Sequence, residues 1–172
     1  MQRNSHCGWC GTAFTQTEVY PRVCINDDCR RETYNNPTPV VINVQPVWDK
    51  LGNRFGLAIA QRALPPHVGG WTLIGGHIEN NGENVRLAGA REFSEETGLD
   101  LGNNARIIDD YANGVGHLLL IVESEPIAYD YFVTGTPCHE NLALDVLWEM
   151  RDLAFPIHTE VALKWFKRQR PR

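Results

Sequence analysis

Apolar residues recur along the chain in short runs of strand length, separated by turn-forming residues. Residues 40–44 and 118–122 are almost continuously apolar, a pattern typical of strands buried on both faces. Clusters of Asp, Asn, Gly and Pro between the runs indicate turns and loops. The pattern predicts strands at residues 40–44, 55–62, 71–74, 106–112, 117–123, 127–133 and 144–148. Residues 49–53 are turn formers and predict a hairpin between the first two of these strands.

Two longer segments have helical character. Residues 83–97 contain fair helix formers and are followed by Gly98, a residue type that often terminates helices. The residues that could pack this helix on a sheet are Val85, Leu87, Ala88, Ala90 and Phe93. Residues 157–167 form a second predicted amphipathic helix. Short strands combined with two helices predict an α/β fold with helices packed on a mixed sheet.

Composition and charge narrow the functional classes. The 172-residue chain is 42% hydrophobic and 22% charged, which is ordinary for a globular protein with a sizeable core. Its net charge of −5 argues against a general affinity for nucleic-acid backbones or anionic membranes. The start of the chain lacks an apolar signal segment, and no apolar run approaches the roughly eighteen residues of a membrane span. We therefore expect a cytoplasmic protein without a membrane or nucleic-acid partner.

Four of the five cysteines lie in two short pairs near the start of the chain. Cys7 and Cys10 are separated by two residues, and Cys24 and Cys29 by four. Two such pairs are typical of a tetrahedral Zn²⁺ site, in which each pair folds into a turn that directs both sulfurs at one ion. Disulfides are the alternative, which a cytoplasmic setting disfavours. Cys138 has no neighbouring cysteine, so a buried or free thiol is expected there.

These cysteines predict a small zinc ribbon at residues 1–36, followed by a core domain at residues 37–172. A ribbon of this length has too few apolar residues for a core of its own, so the metal would hold it together. Contact with nucleic acid or docking of a partner are the alternative roles. The charged residues near its second cysteine pair are balanced in sign: Asp27, Asp28, Arg30 and Arg31. This balance favours the structural role.

A glycine pair followed by a carboxylate-rich helix is the strongest chemical signal. Glu92 and Glu96 are four residues apart in the predicted helix and Glu95 is three from Glu92, so all three share a face. Their mutual repulsion would be relieved by a hard divalent cation such as Mg²⁺ or Mn²⁺. Gly75 and Gly76 allow the backbone to approach such an ion closely. A solvated acidic surface is the alternative.

This stretch resembles the Nudix box, the signature of the Nudix hydrolases. The matching residues are Gly76, Glu83, Arg91, Glu92, Phe93, Glu95, Glu96, Gly98 and Leu99. One departure is that six residues rather than five separate Gly76 from Glu83, and Asn80, Asn81 and Gly82 are suited to absorb the addition in a turn. The resemblance implies an α/β/α sandwich around a mixed sheet.

The resemblance also implies roles for individual residues. The Mg²⁺ or Mn²⁺ ligands would be Glu92, Glu95, Glu96 and the carbonyl of Gly76. Glu92 could instead accept the proton of the attacking water. Arg91 and Glu83 would hold the helix and the preceding loop through an ion pair, unless Arg91 is only a solvated surface charge. A base or extra ligand sometimes lies outside the box in this family, and the candidates here are Glu140 and Asp145.

The combination of ribbon and box is similar to the bacterial NADH pyrophosphatases and to a related group that acts on ADP-ribose or FAD. The ribbon's part of the resemblance lies in residues 6–11, 20–22 and 36–37. Residues 100–126 lack the Ser-Gln-Pro-Trp-Pro-Phe-Pro array of the NADH enzymes, whereas residues 152–156 look more like the second group. The resemblance therefore implies hydrolysis of a nucleoside diphosphate linked to another moiety, which yields a nucleoside monophosphate.

Two other classes of function are compatible with the sequence. A Nudix-like domain can bind a small nucleotide and regulate without cleaving it, although such regulators lose box carboxylates that are retained here. A ribbon that contacts RNA would instead make the chain a decapping factor for NAD-like 5′ ends. Nudix proteins frequently pair, so the resemblance also makes a homodimer a candidate assembly.

Overall fold

The computed structural model describes residues 5–16 and 18–169. The chain forms two compact units, Met1–Pro37 and Thr38–Arg172. Residues 1–4 of the predicted ribbon lie outside the described part. The smaller unit contains a short antiparallel pair of strands, in which Val23 pairs with Glu32.

The described residues of the larger unit form two sheets and three helices. The elements of the chain are β1 (Arg22–Val23), β2 (Glu32–Thr33), β3 (Thr38–Val44), β4 (Pro46–Asp49), β5 (Arg54–Arg62), β6 (Trp71–Thr72), β7 (Gly75–His77), α1 (Val85–Thr97), β8 (Arg106–Ala112), β9 (His117–Glu123), β10 (Ile127–Ala128), α2 (Tyr129–Phe132), β11 (Asn141–Leu147) and α3 (Pro156–Gln169). One sheet has the order β7-β3-β9-β8, and the other has β10-β4-β5-β11 with β6 also paired to β5. Each sheet contains one parallel pair, β3 with β9 and β10 with β4, so both are mixed.

The helices cover opposite sides of these sheets. Val161 and Trp165 of α3 are buried in a cluster with Ile42 of β3 and Leu57 of β5. Phe93 of α1 is buried in a separate cluster on β4, β5 and β11, and Ala88 of α1 contacts a cluster on β3 and β9. This layering confirms the predicted α/β/α sandwich.

The predicted hairpin was wrong in its first strand. β5 pairs with β4 rather than with β3, which belongs to the other sheet. The chain changes sheets at Gln45, which is fully buried and whose Nε2 donates to the carbonyls of Pro46 and Glu125, each at 2.9 Å. This buried amide thus bonds backbone at the junction, and the strands before and after it join different sheets.

The predicted strand at residues 127–133 was also wrong beyond Ala128, because residues 129–132 form the helical turn α2. The hydroxyl of Tyr131 accepts from the amide of Asp100 at 3.0 Å and donates to its carbonyl at 3.1 Å. Phe132 is buried while its two preceding neighbours are exposed. These contacts fix a turn rather than a strand with alternating faces.

Helix α1 begins two residues later than predicted and ends where predicted. The side chain of Asn84 caps it by accepting from the amides of Arg86 and Leu87 at 3.0 and 3.2 Å. Gly98 closes it with φ +70°. Leu87, predicted to pack on the sheet, is exposed. None of the helices within the described residues has the length and apolar character needed to cross a bilayer.

Gly75→Ala is expected to destabilise the larger unit strongly. A Cβ on Gly75 would lie 2.2 Å from the carbonyl oxygen of Val41, so strand β3 would have to move. Such overpacking against backbone costs about 3 kcal/mol. Gly82→Ala is the control, because a Cβ at Gly82 (φ +92°) would meet nothing within 4 Å and would add only about 1 kcal/mol of backbone strain. Urea unfolding midpoints measure the difference, and equal losses would contradict the packing argument.

Candidate functional site

The glycine pair, Gly75 and Gly76, is in direct contact with two carboxylates of α1, those of Glu92 and Glu96. Gly75 and Gly76 lie in β7, which pairs antiparallel with β3 at Ile42 and Val41. A Cβ on Gly76 would lie 2.4–2.6 Å from the three carboxyl atoms of Glu92. The Glu92 carboxylate therefore occupies space that only a glycine leaves open.

Glu96 is held by a donor on each of its oxygens. The amide of Gly75 donates to Oε1 at 3.0 Å, and Nδ2 of Asn141 donates to Oε2 at 2.7 Å. Burial raises the pKa of Glu96 to about 7, and the charges of Glu92 and Glu140 add to the increase, which the two donors oppose. This carboxyl is therefore poised to lose its proton near neutral pH.

Glu92 and Glu95 differ in their exposure. Burial raises the pKa of Glu92, while the bond from Arg91 opposes this and the charge of Glu95 reinforces it. The Glu95 side chain is 59% exposed and forms an ion pair with Arg91 at 3.0 Å. The three carboxylates thus range from nearly buried Glu96 to solvated Glu95.

Arg91 connects the helix to the preceding loop. Its guanidinium contacts Glu83 and Glu92 at 2.9 Å and donates to the carbonyl of His77 at 2.9 Å. The hydrogen bond from Arg91 lowers the pKa of Glu83. The predicted Arg91–Glu83 ion pair is confirmed, and the alternative of a merely solvated arginine is wrong because the guanidinium bonds three carboxylates and a carbonyl.

The extra residue between Gly76 and Glu83 is absorbed by a compact turn. The amide of Glu79 donates to Oε1 of Glu83 at 2.7 Å, and the amide of Glu83 donates to Oδ1 of Asn81 at 2.9 Å. Gly82 supplies the positive φ of +92°. The insertion therefore does not displace Glu83 from Arg91.

Of the two candidates outside the box, Glu140 lies nearer the carboxylates. Its charge raises the pKa of both Glu92 and Glu96. Asp145 lies five positions further along, on β11, and its carboxylate is 3.7 Å from the guanidinium of Arg151. Glu140 thus acts electrostatically on the cluster, whereas Asp145 is paired with Arg151.

Asn141 is a site residue that the sequence analysis missed. It is 8% exposed and donates to Glu96 from the first position of β11. An asparagine at the start of a strand usually indicates only a turn. Its contact with α1 depends on tertiary packing, which the sequence does not reveal. In the sequence, Asn141 is marked only as a polar residue next to an apolar run.

The chemistry of these donors suits a hard divalent cation, although among the described residues only the four ribbon cysteines converge closely enough for three or more to share one ion. Burial raises the pKa of both Glu92 and Glu96, the charge of Glu92 adds to the increase at Glu96, and the backbone of Gly76 lies against Glu92. Oxygen donors of this kind are those that Mg²⁺ and Mn²⁺ prefer. Arg91 balances only part of the negative charge, since one guanidinium bonds three carboxylates, Glu83, Glu92 and Glu95.

The four ribbon cysteines form a separate cluster in the smaller unit. The sulfurs of Cys7 and Cys29 are 3.8 Å apart and those of Cys10 and Cys24 are 3.5 Å apart, and all four lie within 4.8 Å of one another. A tetrahedron with Zn–S bonds of about 2.3 Å has edges of about 3.8 Å. The thiols are free rather than bridged, so the cluster fits one zinc ion better than two disulfides.

Two clefts of about 330 and 320 Å³ lie beside α3 rather than at the carboxylates. The first is lined by Phe55, Arg106 and Trp165, and the second by Ile108, Lys164 and Arg168. None of the box carboxylates lines either cleft. The carboxylate site is therefore separate from both clefts.

Comparison with known proteins identifies relatives of the larger unit. A NUDIX domain matches residues 40–167. The chain is 34% identical over 98 residues to Nudix hydrolase 19, chloroplastic, of Arabidopsis thaliana, a match that covers 56% of this chain and 21% of that protein. It is 38% identical over 95 residues to putative 8-oxo-dGTP diphosphatase 2 of Mycobacterium tuberculosis, covering 48% and 67%.

The fold is also that of solved structures. A NUDIX hydrolase from Nitrosomonas europaea superposes with a TM-score of 0.68 at 21% identity and covers 96% of this chain and 92% of its own. A MutT/nudix family protein from Enterococcus faecalis has the same TM-score at 17% identity, covering 79% and 63%. At these identities the likeness concerns the fold alone.

In the absence of divalent metal, ionisation of Glu96 is expected to lower the free energy of unfolding, and ionisation of Glu83 is expected to raise it. The folded pKa of Glu96, about 7, exceeds its usual 4.5, so the folded protein binds more protons than the unfolded chain between these values. Stability is therefore lost as pH rises from 4.5 through 7, by an amount on the order of 3 kcal/mol.

Glu96→Gln should remove this loss, so the free energy of unfolding of the variant relative to that of wild type should increase between pH 5 and 8. Glu83→Gln is the control of opposite sign. The pKa of Glu83 is lowered, so its charge contributes stability above pH 4.5, and the substitution should destabilise at pH 8. Urea unfolding across this pH range tests both, and a pH-independent Glu96→Gln difference would refute the burial argument.

Proposed function

This chain belongs to the Nudix family, and from that premise we propose that it hydrolyses the diphosphate of a nucleoside diphosphate linked to another moiety. The proposal rests on the contact between α1 and the glycine pair Gly75–Gly76 of β7. The Glu92 carboxylate fills the space beside Gly76, and Glu96 accepts the amide of Gly75. Carboxylates gathered against open backbone form a site for a cation and an anionic substrate together.

Glu92, Glu95, Glu96 and the carbonyl of Gly76 would hold Mg²⁺ or Mn²⁺. Such an ion neutralises the charge of a diphosphate and acidifies a water molecule. Arg91 keeps these residues in register, because it bonds Glu92 and Glu95 on the helix and Glu83 and the His77 carbonyl on the loop.

In the reaction, a water oxygen bonds to one phosphorus and the bond from that phosphorus to the bridging oxygen breaks. The water's proton passes to a carboxylate, for which Glu140 and Glu92 are the candidates. Glu140 is favoured because it lies by the cluster with a side chain 57% exposed, whereas Glu92 is held by Arg91. Asp145 is less suited, since it lies beside Arg151.

We propose ADP-ribose, FAD or NADH as the substrate. ADP-ribose and FAD are favoured, because residues 152–156 resemble the group that acts on them and residues 100–126 lack the array of the NADH enzymes. A second candidate is a nucleoside triphosphate, because the mycobacterial relative is named a putative 8-oxo-dGTP diphosphatase. The matched region is only 21% of the plant relative, so nothing of that whole protein's activity is transferred.

Purified protein with Mg²⁺ or Mn²⁺ is expected to release AMP from ADP-ribose, FAD or NADH. Glu95→Gln should lower turnover on the order of a hundredfold or more, because a ligand of the cation is lost. Glu125→Gln is the control, since this carboxylate lines the cleft beside α3 instead. Product analysis by liquid chromatography measures both variants.

Including 8-oxo-dGTP in the panel distinguishes the two substrate classes. Absence of turnover on every compound with either metal, together with wild-type nucleotide binding by Glu95→Gln, would establish a binding module instead of an enzyme.

The same proposal assigns one structural Zn²⁺ to the ribbon, residues 1–36, ahead of the hydrolase domain, residues 37–172. Cys24→Ser is expected to abolish the zinc content, from one ion per chain, because a tetrahedral site loses a ligand. Cys138→Ser is the matched control, since Cys138 belongs to the larger unit. Elemental analysis measures zinc, and equal zinc in both variants would refute the assignment.

A further inference from the structure

Strand β11 begins with a buried amide that bonds one of the box carboxylates. Asn141 is 8% exposed, and its Nδ2 donates to Oε2 of Glu96 at 2.7 Å. We propose that Asn141 is a positioning residue that holds the Glu96 carboxylate in the orientation required to bind the divalent cation. This inference rests on the proposed function and adds to it a residue outside the box.

The two oxygens of Glu96 are held from two different strands. Asn141 of β11 bonds Oε2, and the amide of Gly75 in β7 bonds Oε1 at 3.0 Å. One donor on each oxygen fixes the rotation of the carboxylate about its terminal bond. A carboxylate accepts only, so the amide nitrogen of Asn141 and not its oxygen faces Glu96.

Asn141 is itself fixed by the loop that precedes it. Its backbone amide donates to the carbonyl of Cys138 at 3.1 Å, and the amide of Cys138 donates to the carbonyl of Glu96 at 3.3 Å. The amide of Thr136 donates to the carbonyl of Thr97 at 2.7 Å. Because the loop is bonded to the last turn of α1, Asn141 and Glu96 keep their relative positions.

Asn43 provides a comparison that separates positioning from simple packing. It is 2% exposed, and its Nδ2 donates to the carbonyl of Gly89 in the same helix at 3.0 Å. Both asparagines are buried donors to α1. Asn141 bonds a carboxylate of the site, whereas Asn43 bonds backbone two turns earlier. A structural role alone would make the two substitutions alike.

The test is a Mn²⁺ titration of the full, zinc-loaded chain without substrate, followed by the electron paramagnetic resonance of free Mn²⁺. Asn141→Leu keeps the branched shape of the side chain and removes the donor, and we expect the Kd for Mn²⁺ to rise about 10- to 100-fold. Asn43→Leu should leave this Kd within about twofold of wild type, even where it lowers Tm. Turnover of Asn141→Leu should recover towards the wild-type kcat as Mn²⁺ is raised.

Each outcome decides the inference. A Kd for Asn141→Leu equal to that of wild type would overturn it and leave the proposed function intact. If Asn141→Leu does not fold, Asn141→Ser, whose hydroxyl is too short to reach Glu96, must show the same weakening or the inference fails. A wild type that neither binds Mn²⁺ nor releases AMP would overturn the proposed function and this inference together.

Discussion

Burial of two like charges one turn apart on a helix is the constraint that dominates this structure. Glu92 and Glu96 repel each other where the dielectric is low, and burial raises the pKa of both. Arg91 bonds Glu92, and the donors on Glu96 come from Gly75 and Asn141. These contacts offset the burial only in part, since the pKa of both carboxyls stays raised, and the proposed cation would supply the missing positive charge.

The close approach of backbone to carboxylate requires the same packing that builds the fold. Gly75 and Gly76 let β7 lie against β3 on one side and Glu92 on the other. At Gly89, a Cβ would lie 2.8 Å from Oδ1 of Asn43, so this residue lets α1 sit directly on β3. A displaced helix would carry the carboxylates away from Gly75 and Gly76. The fold and the site therefore both require the close packing of α1 and β7 on β3.

The sequence was informative wherever the relevant spacing is local. The cysteine pairs, the box and the end of α1 at Gly98 depend on neighbours a few residues apart, and their geometry follows from turn and helix periodicity. Sheet membership depends on distant partners. The hairpin predicted between residues 40–44 and 55–62 was wrong because β3 and β5 belong to different sheets. Tyr131 likewise forms a turn because of a bond to Asp100, thirty-one residues away.

The proposed catalytic carboxylates and the groups that orient them thus come from different parts of the sequence. The carboxylates lie within five consecutive residues of α1, so their mutual spacing is set by the helix. Their orientation is set by β7, by the loop at Glu83 and by Asn141 at the start of β11. If the box binds a cation as proposed, changes in those flanking elements would alter the affinity while leaving the box unchanged. An intact box alone would therefore not determine how tightly the ion is held.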